Sequence, residues 1–277
     1  MKKIVMTMGA FFALSIASAQ GGYASFSVGY AGGGNSVIGS NYEELTEDKT
    51  EGFEFIQGTS KTSTVTGTYG KGLPISLAGG YMLNENFGLE LGVTYFMGSE
   101  ITSSESRWLD GSKQIVTSKG SQIRVLPQLV VSTGTAFGIE LYAKTGLLLP
   151  VGGSTTYKSD YLKSNGKFLH VEGTNKGAFS LGYTGSFGAS FAIGNLSIFG
   201  ELQGVNLSIK GATRTTTKYN DEGEDKLAQL SVQSNETEYV EVLESGANDL
   251  DTKPLKALST ATSYNSIGLN VGVKINF

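Results

Sequence analysis

The sequence predicts an all-β protein: an eight-stranded antiparallel up-and-down transmembrane β-barrel with four long extracellular loops. Three observations carry this. Apolar residues alternate with small or polar ones through eight separate stretches, the period-two pattern of a strand with two unlike faces. The connections between these stretches alternate between short and long, as in barrels that cross a membrane. Hydrophobic residues make up only 39% of the 277-residue chain. That is low for a large water-soluble core, but it suits a barrel with apolar side chains outside and polar ones within.

The chain begins with a secretory leader, residues 1–19. Lys2 and Lys3 form its basic end, Ile4 to Ile16 its apolar stretch, and Ala17-Ser18-Ala19 a small-residue cleavage site. Cleavage between Ala19 and Gln20 leaves 20–277 as the barrel domain. No later run reaches the roughly 18 apolar residues of a membrane helix.

The eight stretches follow in order. The first, 22–31, sets Ala24, Phe26, Val28 and Tyr30 against Ser25, Ser27 and Gly29. A polar segment, 32–71, leads to the second, 72–82, with Leu73, Ile75, Leu77 and Tyr81 outward. Asn84-Glu85-Asn86 makes a tight turn into the third, 87–97, with Phe87, Leu89, Leu91, Val93 and Tyr95 outward. After a second long segment, 98–119, the fourth (121–131) contains Pro127. Proline has no ladder donor, so a local bulge or bend is expected there.

A turn at 132–136 precedes the fifth stretch, 137–151, and the third long segment is 152–177. The sixth, 178–193, ends in Gly194-Asn195, a two-residue hairpin signal. In the seventh, 196–209, the alternation reverses after Gly204, which suggests a bulge. The last long segment, 210–262, is followed by the closing strand. From Ile267 to Phe277 every second residue is apolar, and the chain ends on an aromatic. Aromatics near the strand ends (Tyr81, Phe87, Phe137, Phe191 and Phe277 beside the short turns; Tyr30, Tyr95 and Phe179 toward the long ones) predict two interfacial girdles. A ten-strand version, taking one more hairpin from the first or last long segment, remains open.

The tail resembles the C-terminal assembly signal of bacterial outer-membrane barrels, with Asn270, Gly272, Ile275 and Phe277 in its places. Together with the leader and eight strands, the chain resembles the small outer-membrane β-barrel family of outer-membrane protein A-like and porin-family proteins. The resemblance implies a bacterial outer-membrane location with both termini periplasmic. It also implies insertion by the barrel-assembly machinery through the closing strand. It is specific for fold and location and carries little about activity. The chain stops at the closing strand, so no appended peptidoglycan-binding domain is expected.

Composition narrows the chemistry. With no cysteine and a single histidine, thiol catalysis, Cys-ligated zinc and His-rich metal sites are excluded. Net charge is −4 and becomes more negative once Lys2 and Lys3 leave, which disfavours nucleic acid as a partner. No cofactor or metal is expected.

Six charges fall on inward positions: Glu90, Arg124, Glu140, Lys144, Glu201 and Lys274. An eight-stranded barrel is just wide enough for side chains to fill it, so opposite charges are expected to pair into a polar plug with Gln128, Tyr142 and Gln203. The rival reading lines a narrow porin-like channel with them. His170 raises a third possibility, a lipid-modifying enzyme using Ser and His. The His-x-Ser motif of such barrels is missing, because position 172 is Glu, and no enzyme is expected. The segment 210–262 is acidic and could meet an extracellular ligand; a solvated loop is the plainer reading. The expected protein is a monomer in outer-membrane lipid, with a structural or surface-interaction role at the cell surface.

Overall fold

The computed structural model describes residues 21–47, 58–246, 248 and 250–277. The leader, its cleavage site at Ala19 and Gln20, and Asp249 lie outside the described residues. In chain order the strands are β1 (Gly22–Gly32), β2 (Ser36–Glu47), β3 (Gly58–Gly67), β4 (Gly72–Met82), β5 (Phe87–Gly98) and β6 (Ile101–Arg107). Next come β7 (Lys113–Ala136), β8 (Ile139–Leu162), β9 (Phe168–Gly177), β10 (Gly182–Ile193), β11 (Leu196–Asn206) and β12 (Ser208–Asp221). The last are β13 (Glu224–Asp225), β14 (Glu236–Val240), β15 (Leu255–Leu258), β16 (Ala261–Ser263) and β17 (Ser266–Asn276). One four-residue helix, Val232–Asn235, is capped by the Ser231 side chain.

Eight of these strands close a barrel in the order β1-β4-β5-β7-β8-β10-β11-β17, and β17 pairs back onto β1. All eight pairings are antiparallel. The closing ladder runs from Tyr23↔Asn276 to Gly32↔Ile267, so neither β1 nor β17 is left as a free edge. Both described chain ends and the short turns lie at one end, the terminal end; the other is the distal end. Along β5 the exposure alternates strictly: Phe87, Leu89, Val93 and Tyr95 are exposed, whereas Glu90, Thr94 and Phe96 are buried. The girdle aromatics are all among the exposed large side chains. A closed ladder with this apolar exterior satisfies its backbone internally and spans a membrane with strands. No helix among the described residues is long and apolar enough to do so.

Two expected irregularities sit elsewhere. Pro127 stays in register, opposite Leu91 of β5, with no bulge beside it. The break falls at Val151 instead, where the β7–β8 register shifts between Ile123↔Gly152 and Arg124↔Pro150. The Gly204 bulge is also absent: β11 keeps one register with both neighbours. The apparent reversal there has another cause. Leu207, just past the strand, is inward and buried, where it joins Leu126, Leu148 and Tyr264 in an apolar cluster across the lumen. The expected turn at 132–136 is likewise corrected. The strands run on to Ala136 and restart at Ile139, and Phe137 (φ 55°) and Gly138 (φ 79°) form the two-residue turn. Both residues need positive φ, as a right-twisted hairpin requires. The Phe137 ring is fully exposed there.

The long segments are not mainly loops. β7 and β8 each have 24 residues, roughly twice what a membrane strand needs. Beyond the barrel they carry an open sheet in the order β3-β2-β6-β7-β8-β9-β12-β14-β15. Thr- and Ser-rich runs supply β3 and part of β12, because β-branched hydroxyl residues suit a pleated surface wet on both faces. The free edge of β15 is blunted by Asn248, whose side-chain amide pairs with both the N–H and the C=O of Lys256 at 2.7 and 3.0 Å.

Candidate functional site

Inside the barrel the polar side chains meet in tiers. Nearest the terminal end, Glu140 of β8 receives the Lys274 ammonium of β17 at 2.5 Å. Ser132 and Ser190 donate to the same carboxylate at 2.8 and 2.9 Å. Further in, Lys144 lies 3.0 Å from Glu90 and 3.1 Å from Glu201. Tyr23 donates to the second Glu90 oxygen at 2.8 Å. The Glu201 oxygen facing Lys144 has no well-aligned hydrogen bond, so that contact is chiefly charge against charge. The rings of Tyr142 and Phe199 stand 5.2 and 5.8 Å from the Lys144 ammonium, adding cation–π attraction.

Two glycines make this tier possible. A Cβ on Gly80 would come 2.2 Å from the Tyr23 ring, and one on Gly188 would come 2.5 Å from the Tyr142 ring. Only a residue without a side chain lets the two tyrosines lie flat against the wall.

Arg124 departs from the expected pairing. It is buried, yet no carboxylate lies within ion-pair distance among the described residues. Its guanidinium sits 4.0 Å over the Phe96 ring, and its Nε donates to Gln122 at 2.9 Å. Nη2 has no hydrogen-bond partner. Of the expected plug partners, Gln203 accepts from Asn270 at 3.3 Å, while Gln128 Nε2 and the Tyr142 hydroxyl are buried without a hydrogen bond. A vestibule of about 550 Å³ opens at the terminal end onto Tyr23, Glu140 and Lys274, but further in the voids are small: about 20 Å³ beside Glu90 and Lys144, and about 10 Å³ beside Arg124. Each of these small voids is at most the size of one or two waters. Beside Arg124, Leu126 and Leu148 join Leu207 and Tyr264 in the apolar cluster.

The assembly-signal residues divide by face. Asn270 is buried in the lumen, and a Cβ on Gly272 would strike the Phe199 ring at 2.6 Å. Ile275 and Phe277 are exposed on the outside. The ladder ends at Asn276, and Phe277 still donates its N–H to Gly22 at 2.9 Å.

His170 lies on β9 in the distal sheet. Its Nδ1 is 2.5 Å from Asp160 and its Nε2 2.8 Å from Glu172, so both ring nitrogens face carboxylates rather than a serine. These partners raise its pKa, Asp160 first and Glu172 second. The His170 contact in turn lowers the Glu172 pKa. The acidic segment is less of a free acidic surface than its composition suggests. Asp221 binds Lys163 and Lys226 at 2.6 and 3.0 Å, Glu222 binds Lys163 and Lys167, and Glu241 binds Lys210. Lys163 and Lys167 come from the β8–β9 turn, far away in sequence, which spacing alone does not show; Lys210 and Lys226 lie in the segment itself.

No family model matches the chain, and no curated protein sequence does. Among solved structures it is similar to Neisserial surface protein A (NspA), with 12% identity and a TM-score of 0.39 over 93% of this chain and 98% of that one. It is also similar to Ail, the attachment invasion locus protein of Yersinia pestis, solved with the heparin analogue sucrose octasulfate. The identity is 13% and the TM-score 0.31, over 92% of this chain and 99% of that one.

Proposed function

We propose that this protein is an integral outer-membrane β-barrel with a plugged polar interior, and that its role is structural or one of surface interaction through the distal sheet. Both termini then lie in the periplasm and the distal sheet stands outside the cell. Outer-membrane lipid surrounds the barrel. The exposed ends of β17, Ile275 and Phe277, remain the candidate contact for the assembly machinery. The observation that carries the reading is the tiered lumen. Past the terminal vestibule, Lys144 pairs across the lumen with Glu90 and Glu201, and the voids of about 20 and 10 Å³ at that level and beside Arg124 are too small for a hydrated solute. Neither catalysis nor transport is part of this reading.

Conductance of the refolded protein in a planar bilayer tests it, with Glu201→Ala and Arg124→Ala beside the wild type. The wild type is expected to be silent, with leak appearing only in the variants. Steady, discrete steps from the wild type would replace the plug with a narrow porin-like channel.

A further inference from the structure

The barrel wall is incomplete on one side. β8 pairs with β10 up to Leu148↔Gly182 and with β9 from Thr155↔Asn175 onward, in a single continuous register. Between these points no ladder pair joins residues 149–154 of β8 to residues 176–181. The cause is local. Pro150 has no N–H to give, and the β7–β8 register breaks at the adjacent Val151. The opposite segment stays with β12 through Gly211↔Gly177 and the Ala178 N–H to Lys210. What remains is a slit roughly 20 Å long at about 3.3 Å per residue.

Behind the slit is a cavity of about 210 Å³. Its inner wall is the Tyr69–Tyr264 ring pair, with centroids 5.7 Å apart, and Ile209. Tyr69 and Ile209 pack on the apolar cluster to which Tyr264 belongs, so this wall backs onto the barrel interior. The outer lip is apolar and exposed: Val151 at 59%, Phe179 at 81% and Leu181 at 57%. The lip includes the girdle residue Phe179 and runs on into the exposed Tyr183, so the slit opens at the edge of the lipid-facing band. Two polar groups at the cavity are unused. Asn175 Oδ1 is buried without a hydrogen bond, and the Lys176 ammonium has no partner among the described residues.

From this we infer that the slit is a side window for an anionic amphiphile: an alkyl chain enters past Val151 and Phe179 toward the two tyrosines, and an anionic head is held at Lys176. An apolar lip continuous with the lipid band favours a chain from the membrane side. Lys210 also lines the cavity but is paired with Glu241, so Lys176 is the unpaired cation there among the described residues, and it favours a negative head. The inference rests on the membrane orientation proposed above, and it also gives the unpaired strand edges a filled rather than an empty neighbour.

The test uses the mature chain inserted in phosphatidylcholine nanodiscs. Trp108→Phe removes the native indole, and Tyr69→Trp places a reporter in the cavity; Phe179→Trp at the lip is the second reporter. Quenching is titrated with 9,10-dibromostearate, which enters from the leaflet, and with 2-bromooctanoate, which enters from water. Saturable quenching by either probe is expected, and whichever saturates identifies the source. Gly152→Phe should abolish it. Gly152 lines the cavity, and nothing lies within 4 Å of a built Cβ, so a side chain there is added without backbone strain and is expected to obstruct the mouth. Lys176→Glu should weaken it about tenfold by replacing attraction with repulsion. Linear quenching by both probes, unchanged by either substitution, would overturn the window. A chain that fails to insert into nanodiscs would instead refute the membrane reading, so the two failures are distinguishable.

Discussion

The lumen and the distal sheet both hold lysines against carboxylates, but the same contact has a different weight in each place. Lys144 and Glu90 are 11% and 3% exposed at the side chain, whereas Lys210 and Glu241 are 53% and 75% exposed at a shorter separation. Water screens the second pair and its members can solvate separately, so little depends on its being made. In the first pair neither charge can reach water without opening the barrel. Breaking it leaves a buried charge uncompensated, at a cost of about 3–5 kcal/mol. Burial, not distance, decides which of the two holds the fold.

The largest effect therefore belongs to Lys144→Met. It strands Glu90 and Glu201 together in the lumen and should lower unfolding stability in lipid by about 3–5 kcal/mol. Urea titration of bilayer-inserted protein, followed by heat-modifiable migration, measures it. The triple variant Lys144→Met, Glu90→Gln, Glu201→Gln removes all three charges and should recover most of the loss. Without that recovery, the loss lies in packing against Tyr142 and Phe199 rather than in charge.

A smaller effect is expected one tier toward the terminal end. Lys274→Met leaves Glu140, but Ser132 and Ser190 still donate to its carboxylate, and the pair is 16% and 13% exposed. A loss of about 1–2 kcal/mol is expected, the scale of one charge-assisted hydrogen bond with its partners retained. A loss as large as that of Lys144→Met would mean that the hydroxyls solvate Glu140 poorly.

What the sequence made legible follows the same division. The eight barrel strands are readable because lipid on one side and a narrow lumen on the other impose period two on every residue, from Phe87 through Phe96 for example. The inward position of Lys144 and Glu90 follows from that alternation. The isolation of Arg124 does not, since which inward charges meet depends on stagger between strands that are distant in sequence. The distal strands β2, β3, β9 and β12 bury no large apolar side chain among the described residues, so apolar alternation is weak there and the runs resemble loops. The side window is the least legible feature. It arises from Pro150 and a bulge at Val151 acting on a partner strand, and the partner's own residues give no sign of it.

The smallest expected effect concerns His170. Its raised pKa comes from Asp160 and Glu172, so the stability it contributes is present below the ordinary histidine pKa and is lost as pH rises through the folded value. Glu172 is shifted the other way, and its contribution is lost as pH falls through its lowered value. The β8–β9 hairpin should therefore be tightest in mildly acid solution, between those two transitions, and should loosen above neutrality. Amide exchange of residues 158–172, compared at mildly acid and mildly alkaline pH, should show faster exchange at the higher pH. His170→Phe should make the two rates equal once the intrinsic pH dependence of exchange is removed. Global unfolding should not respond, because the group is only half-buried and no barrel strand pairs at that height except β7 and β8. A shift of the whole unfolding curve with His170 would show that the distal sheet and the barrel unfold as one unit, and the contrast between the two regions would then concern burial alone, not independence.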